Sequence, residues 1–172
     1  MRNKNKGFSL IELLIVVAII LIIAAIAIPN LLRARITANE TSAVGSVRTI
    51  NTGAVQYSST YGNGFPPTLL SLGPGGGPPA TCNNADLIDQ VLAGGQKSGY
   101  NFTYGPGAAV ATPPAGCTPG AVSYDIGATP VTVGTTGQRS FCTDQSGVVR
   151  QDPTGAPIAP GACVAPLAVI AQ

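Results

Sequence analysis

Lys6-Gly7-Phe8-Ser9-Leu10-Ile11-Glu12-Leu13-Leu14 is the stretch that decides how this chain is read. It joins a basic leader, with Arg2, Lys4 and Lys6, to an apolar run, and it puts one carboxylate inside that run. From Leu13 to Leu32 no residue is charged. A run of about 20 residues is roughly what a helix needs to cross a bilayer. A lone acid near the start of such a run costs on the order of a few kcal/mol if it reaches the hydrocarbon centre. Within the run the sequence offers Glu12 no partner; the obvious candidate is a new amino group, created if the leader is cut off at Gly7.

Charge around the run favours a cytoplasmic N-terminus, because Arg2, Lys4 and Lys6 all lie close to the membrane on that side. Arg33 and Arg35, just past the other end, weaken the asymmetry. The chain as a whole carries a net charge of +2, with 9% charged residues and no clustered excess. That pattern gives no basic stripe of the kind that binds nucleic acid. Histidine is absent, which removes His-based triads, the H-E-x-x-H zinc motif and most imidazole metal sites. Gly73-Pro74-Gly75-Gly76-Gly77 lacks the G-K-[ST] ending of a phosphate loop. Asp125 and Lys97 read as isolated polar residues, and no nucleophile–base pair stands out, so no enzyme, cofactor or metal is expected.

The apolar pattern continues beyond the bilayer-length run. Ile36, Ala43, Val47, Ile50, Ala54, Tyr57 and Tyr61 recur at steps of 3, 4 or 7, on one helical face. Arg35, Asn39, Thr41, Ser42, Arg48 and Thr52 fall on the other. One helix from Phe8 to Tyr61 is the simplest reading, with an apolar half and an amphipathic half. Pro29, lacking an N–H, should kink or loosen it, and the Gly-Pro stretch from Tyr61 to Pro67 should end it. Thr68 to Leu72 suggests a single turn. Asn84 suggests an N-cap for a short helix over Ala85–Ala93, with Leu87, Val91 and Leu92 facing the core. Strand-like alternation follows at Gly99–Tyr104, Val122–Ile126, Arg139–Asp144 and Gly147–Arg150, the last two forming a hairpin at Gln145-Ser146. The fold class is therefore α+β: a long N-terminal helix, transmembrane in its first half and amphipathic in its second, packed on a small antiparallel sheet of three or four strands.

Cys82, Cys117, Cys142 and Cys163 all lie beyond the apolar run. If that part is exported, an even count suggests two disulfides, for which three connectivities are possible. Cys82–Cys117 with Cys142–Cys163 is favoured, because each then closes one loop-rich stretch without crossing the other. A four-thiolate zinc site is the competing reading, and no C-x-x-C pair supports it.

Residues Lys6 to Leu14, followed by the apolar run and Pro29, closely resemble the N-terminal segment of type IV pilins and type II secretion pseudopilins. The resemblance covers roughly residues 1–35. It implies a prepilin peptidase that cuts after Gly7 and methylates the new N-terminal Phe8. It implies that Glu12, fifth from Phe8, is the assembly residue that pairs with the Phe8 amino group of an adjacent subunit. It implies that Pro29 is the proline that loosens the membrane helix. The domains are then a leader over 1–7, a transmembrane or filament-core helix over 8–32, and a pilin-like head over 33–172. A weaker resemblance links Gly137–Arg150 to the sheet hairpin of pseudopilin-like members. Some of those members carry calcium, for which Asp144, Ser146 and Asp152 would be the oxygen donors, but calcium wants six to eight oxygens and few carboxylates are present.

The implied function is a structural subunit of a type IV pilus-like filament. Its implied partners are copies of itself, the prepilin peptidase, the inner-membrane assembly machinery and membrane lipid, with no nucleic acid. A type II secretion pseudopilin is the first alternative, and a membrane-tethered binding module that never polymerises is the second. Ala25-Ile26-Ala27 also has the form of an ordinary secretory cleavage site, which would discard Glu12. The apolar run is long for that role, and Glu12 is out of place in it.

Overall fold

The computed structural model describes residues 8–75, 77–164 and 166–170; Gly7 and the leader over 1–7 lie outside them. The chain divides into two compact units, residues up to Arg35 and residues from Ile36 onward.

The first unit is helical. Helix α1 is Leu10–Tyr61, and its portion up to Arg35 is exposed to solvent throughout, apart from a half-buried Ala24. It is the one described helix long and apolar enough to cross a membrane. Pro29 lies inside it, and the helical run continues on both sides although the proline withholds one backbone donor.

The second unit has two layers. From Ile36 onward, α1 buries Ile36, Ala43, Val47, Ile50, Ala54 and Tyr57, the face that the sequence periodicity marks. Against it lies a six-stranded antiparallel sheet in chain order: β1 (Gln96–Lys97), β2 (Tyr100–Pro106), β3 (Tyr124–Pro130), β4 (Ser140–Asp144), β5 (Arg150–Asp152) and β6 (Ala168–Val169). Tyr100, Phe102, Tyr124, Ile126, Ala128 and Phe141 point from the sheet into this core. Alternation along each strand sends their neighbours to the other face. Each fully buried aromatic or aliphatic side chain contributes about 1.5–3 kcal/mol by leaving water, so this interface holds the domain together.

Several local expectations are corrected. The helix expected over Ala85–Ala93 is only α2, Gln90–Ala93, and its cap is Asp89 rather than Asn84. Asn84 instead closes a turn with Thr81. The N–H groups of Ala85, Asp86, Leu87 and Ile88 then donate to carbonyls of Ser71, Gly73 and Leu72 in and beside a short 3-10 turn, Leu70–Leu72. Those donors are committed before a helix can form. Ile88 and Leu92 are buried as a result, whereas Val91 is 60% exposed. The strand expected at Gly147–Arg150 starts later, because Arg150, Gln151 and Asp152 pair with Cys142, Phe141 and Ser140. Likewise Val122 lies outside β3, which runs on to Pro130.

The loops are tied to the layers by two disulfides, Cys82–Cys117 and Cys142–Cys163. Tyr57 adds a buried tie by donating to the Cys82 carbonyl at 2.7 Å. Asn63, fully buried, donates to the Thr118 carbonyl and accepts from the Gly120 N–H. A Cβ at Gly120 would collide with the Asn63 carbonyl, so only glycine permits this approach.

Candidate functional site

The site that the sequence singles out is the start of α1. Ser9 precedes the first helical residue, and the carboxylate Oε2 of Glu12 accepts the Ser9 backbone N–H at 3.0 Å. Ser9-Leu10-Ile11-Glu12 is thus a capping-box sequence, with Glu12 at its third helical position. The Glu12 carboxylate therefore has a partner within its own chain, contrary to the reading of the apolar run alone. The S-x-x-E spacing was the signal for it. Such an acid also meets the positive end of the helix dipole, worth about 0.3–1 kcal/mol. Phe8 lies just outside the helix and is 84% exposed. Phe8 and Glu12 are therefore placed near one end of the helix, while Pro29 sits several turns along it and the four cysteines belong to the second unit.

The second unit contains charged groups that the sequence left unassigned. Glu40, among the buried residues of α1, accepts the backbone N–H groups of Gln138 and Arg139 and the Nε and Nη2 of the Arg139 guanidinium. Burial pushes the Glu40 carboxyl up. The Arg139 hydrogen bond and charge and the two backbone donors outweigh it, so the group lies below the usual carboxylate range. Asn39 and Ser42, expected on the solvent face, are half-buried and bond to Thr136 and Ser98. Lys97 is not isolated, since its Nζ lies 2.8 Å from Asp89 Oδ2.

Asp125 and Asp144 face each other directly across β3 and β4 and line a cleft of about 210 Å3 with Ser123, Gln145 and Cys163. Burial raises the Asp125 carboxyl, the Gly161 N–H lowers it and the Asp144 charge raises it; the net effect is upward. Burial, with the Asp144 charge behind it, also pushes the Tyr124 hydroxyl up to about 12. Of the oxygens considered for calcium, Asp144 Oδ1 accepts the Ser146 N–H and Asp152 Oδ1 accepts the Thr154 N–H and hydroxyl. Among the described residues no group of three or more His, Cys, Asp or Glu side chains is arranged to hold a metal ion.

Comparison with known proteins bears on the first of these sites. Residues 2–28 match the prokaryotic N-terminal methylation motif. The chain is 71% identical over 41 residues to the type IV wide pilus major component PilA4 of Thermus thermophilus, covering 24% of this chain and 30% of that protein. It is 43% identical over 56 residues to the type IV major pilin protein PilA of Myxococcus xanthus, covering 33% of this chain and 26% of that protein. The matched segments thus span less than a third of either relative. No solved structure matches the chain. Over these matched segments, and in its long N-terminal helix and antiparallel sheet, the chain is similar to type IV pilins.

Proposed function

We propose that the chain is a structural subunit of a type IV pilus-like filament. In this reading the leader over 1–7 is cut after Gly7, and Phe8 becomes a methylated N-terminus. The helix over 8–32 holds the precursor in the inner membrane, with its N-terminus cytoplasmic. The subunit is then withdrawn into a homopolymer whose interior is made of these helices. The head over 33–172 forms the outside, braced by its disulfides.

The single observation that carries the reading is the apolar half of α1, which none of the described residues covers and whose one acid stands at its first turn. Such a surface is stable in lipid or against copies of itself, and in water it is not. A polymer grown from the membrane transfers it from one to the other. Within the polymer the Glu12 carboxylate would exchange its backbone partner for, or add, the amino group of a neighbouring Phe8, and that pairing sets the axial register. Because both relatives are named as major components, the reading commits to a major subunit.

Mass spectrometry of the mature protein from its native cell tests this. An N-methylated Phe8 is expected. A start at Ile28 would mean an ordinary secreted protein, and an intact Met1 a plain anchor. Secretion defects without visible fibres would favour the pseudopilin. A correctly processed protein that stays monomeric would favour the tethered module.

A further inference from the structure

Among the described residues nothing covers the solvent face of α1 in the second unit. Thr41, Gly45, Arg48, Thr52 and Val55 follow one another at steps of three or four and are all exposed. Val55 leaves half its surface in water, and a Cβ at Gly45 would meet nothing within 4 Å. Arg48 stands in the middle, between two shallow clefts of about 270 Å3, one beside Leu87 and Gln56 and the other beside Val44 and Phe141. Among the described residues Arg48 has no hydrogen bond or ion pair.

The outer face of the sheet carries an acidic pair, and the nearby Arg150 on that face donates from Nη1 to the Leu167 carbonyl. Asp125 and Asp144 are direct cross-strand partners, and strand alternation turns them away from α1, since Tyr124, Ile126 and Thr143 beside them are the buried residues. Their Oδ1 atoms accept the Gly161 and Ser146 N–H groups. Their second oxygens have no hydrogen-bond partner among the described residues, and no lysine or arginine pairs with either. Like charges placed directly opposite destabilise a sheet unless a cation meets them.

Resting on the filament reading, we infer that the exposed α1 face docks on a second copy of this chain, with Arg48 seated between the carboxylates of that copy's Asp125 and Asp144. A planar guanidinium with five donors suits two carboxylates better than an ammonium does. The two patches are different and lie on different layers of the domain, so the contact is heterologous. A repeated heterologous contact that does not close into a ring makes a helical filament. The bond joins head to head and is independent of the contacts of the apolar helix halves.

The test is a double-mutant cycle on the full-length chain in its native cell, read as filament mass sheared from the surface. Arg48→Gln is expected to lower that mass about tenfold or more, as close interfacial charge pairs do when one partner is lost. Asp125→Asn with Asp144→Asn is expected to do the same, while keeping the Oδ1 acceptors for Gly161 and Ser146. The triple variant should fall no further than either. Unfolding midpoints in detergent that do not fall for any of these variants would separate lost docking from lost folding. Normal filaments from Arg48→Gln, a loss confined to one side of the cycle, or losses that multiply in the triple variant would each overturn the inference and leave the filament reading standing. No polymer from the unaltered chain would overturn both.

Discussion

Glu40 and Arg139 form an ion pair between helix and sheet in which the acid is buried and the base is half-exposed, with side-chain exposures of 8% and 42%. The carboxylate accepts four hydrogen bonds, two from backbone and two from the guanidinium. Arg139 also donates to Gln151 from its Nη1 and lies over the Phe141 ring. One side chain of α1 thereby fixes where β4 begins.

Removing that acid should be felt. Glu40→Ala leaves two backbone donors and a guanidinium without their acceptor, a loss of about 2–3 kcal/mol. Glu40→Gln should cost less, since its carbonyl oxygen still accepts. Urea unfolding in detergent, followed by tyrosine signal, measures both; equal effects would mean that the charge rather than the acceptor matters.

The same domain should respond to acid in two opposing ways. The folded Glu40 carboxyl is depressed, so its stabilisation is complete above the unfolded carboxylate range and is lost as pH falls through the folded value. The folded Asp125 carboxyl is raised, so its penalty is present above the folded value and disappears once the pH is below the unfolded one. Asp125→Asn should therefore stabilise the head at neutral pH and steepen its loss of stability on acidification. Unfolding midpoints between pH 7 and about pH 3 bracket these carboxylates and check the sign.

Gly137 should not tolerate a side chain. A Cβ there would run into the Tyr100 hydroxyl, and that ring is fully buried, with its oxygen donating to the Arg139 carbonyl. Gly137→Ala is expected to cost about 1–3 kcal/mol by overpacking. A thermal scan that shows no loss would mean that the ring can move.

Each disulfide should contribute about 3–4 kcal/mol in the chain-entropy picture, slightly more for Cys82–Cys117, which spans 35 residues against 21 for Cys142–Cys163. Paired Cys→Ser variants, compared by urea midpoint, test the order. The Cys142–Cys163 variant should in addition loosen the Asp125–Gly161 hydrogen bond, seen as faster amide exchange at Gly161.

Glu12→Ala should still be processed and inserted in the membrane but should assemble poorly. Immunoblots of cell and sheared fractions separate those steps. Normal filaments from that variant would remove Glu12 from the assembly role.

Long-period features were legible in the sequence. The helix to Tyr61 and its buried face follow from a repeat sustained over many turns, and β2 from clear alternation. What failed was short and decided by distant partners. Asn84 and Asp89 are both good caps, and only the carbonyls of Ser71, Leu72 and Gly73, brought alongside by the fold, select the second. Nothing local marks Glu40 as buried, because its partner Arg139 lies 99 positions away. The local partner of Glu12 is legible in the capping spacing Ser9-x-x-Glu12.

The two ends of the sheet carry a further consequence. The outer strands β1 and β6 are two residues each, and β1 ends on Lys97. Long free edges invite strand-by-strand growth between molecules, and short or charged ones refuse it. With both edges clipped, this sheet gives such growth little to template on.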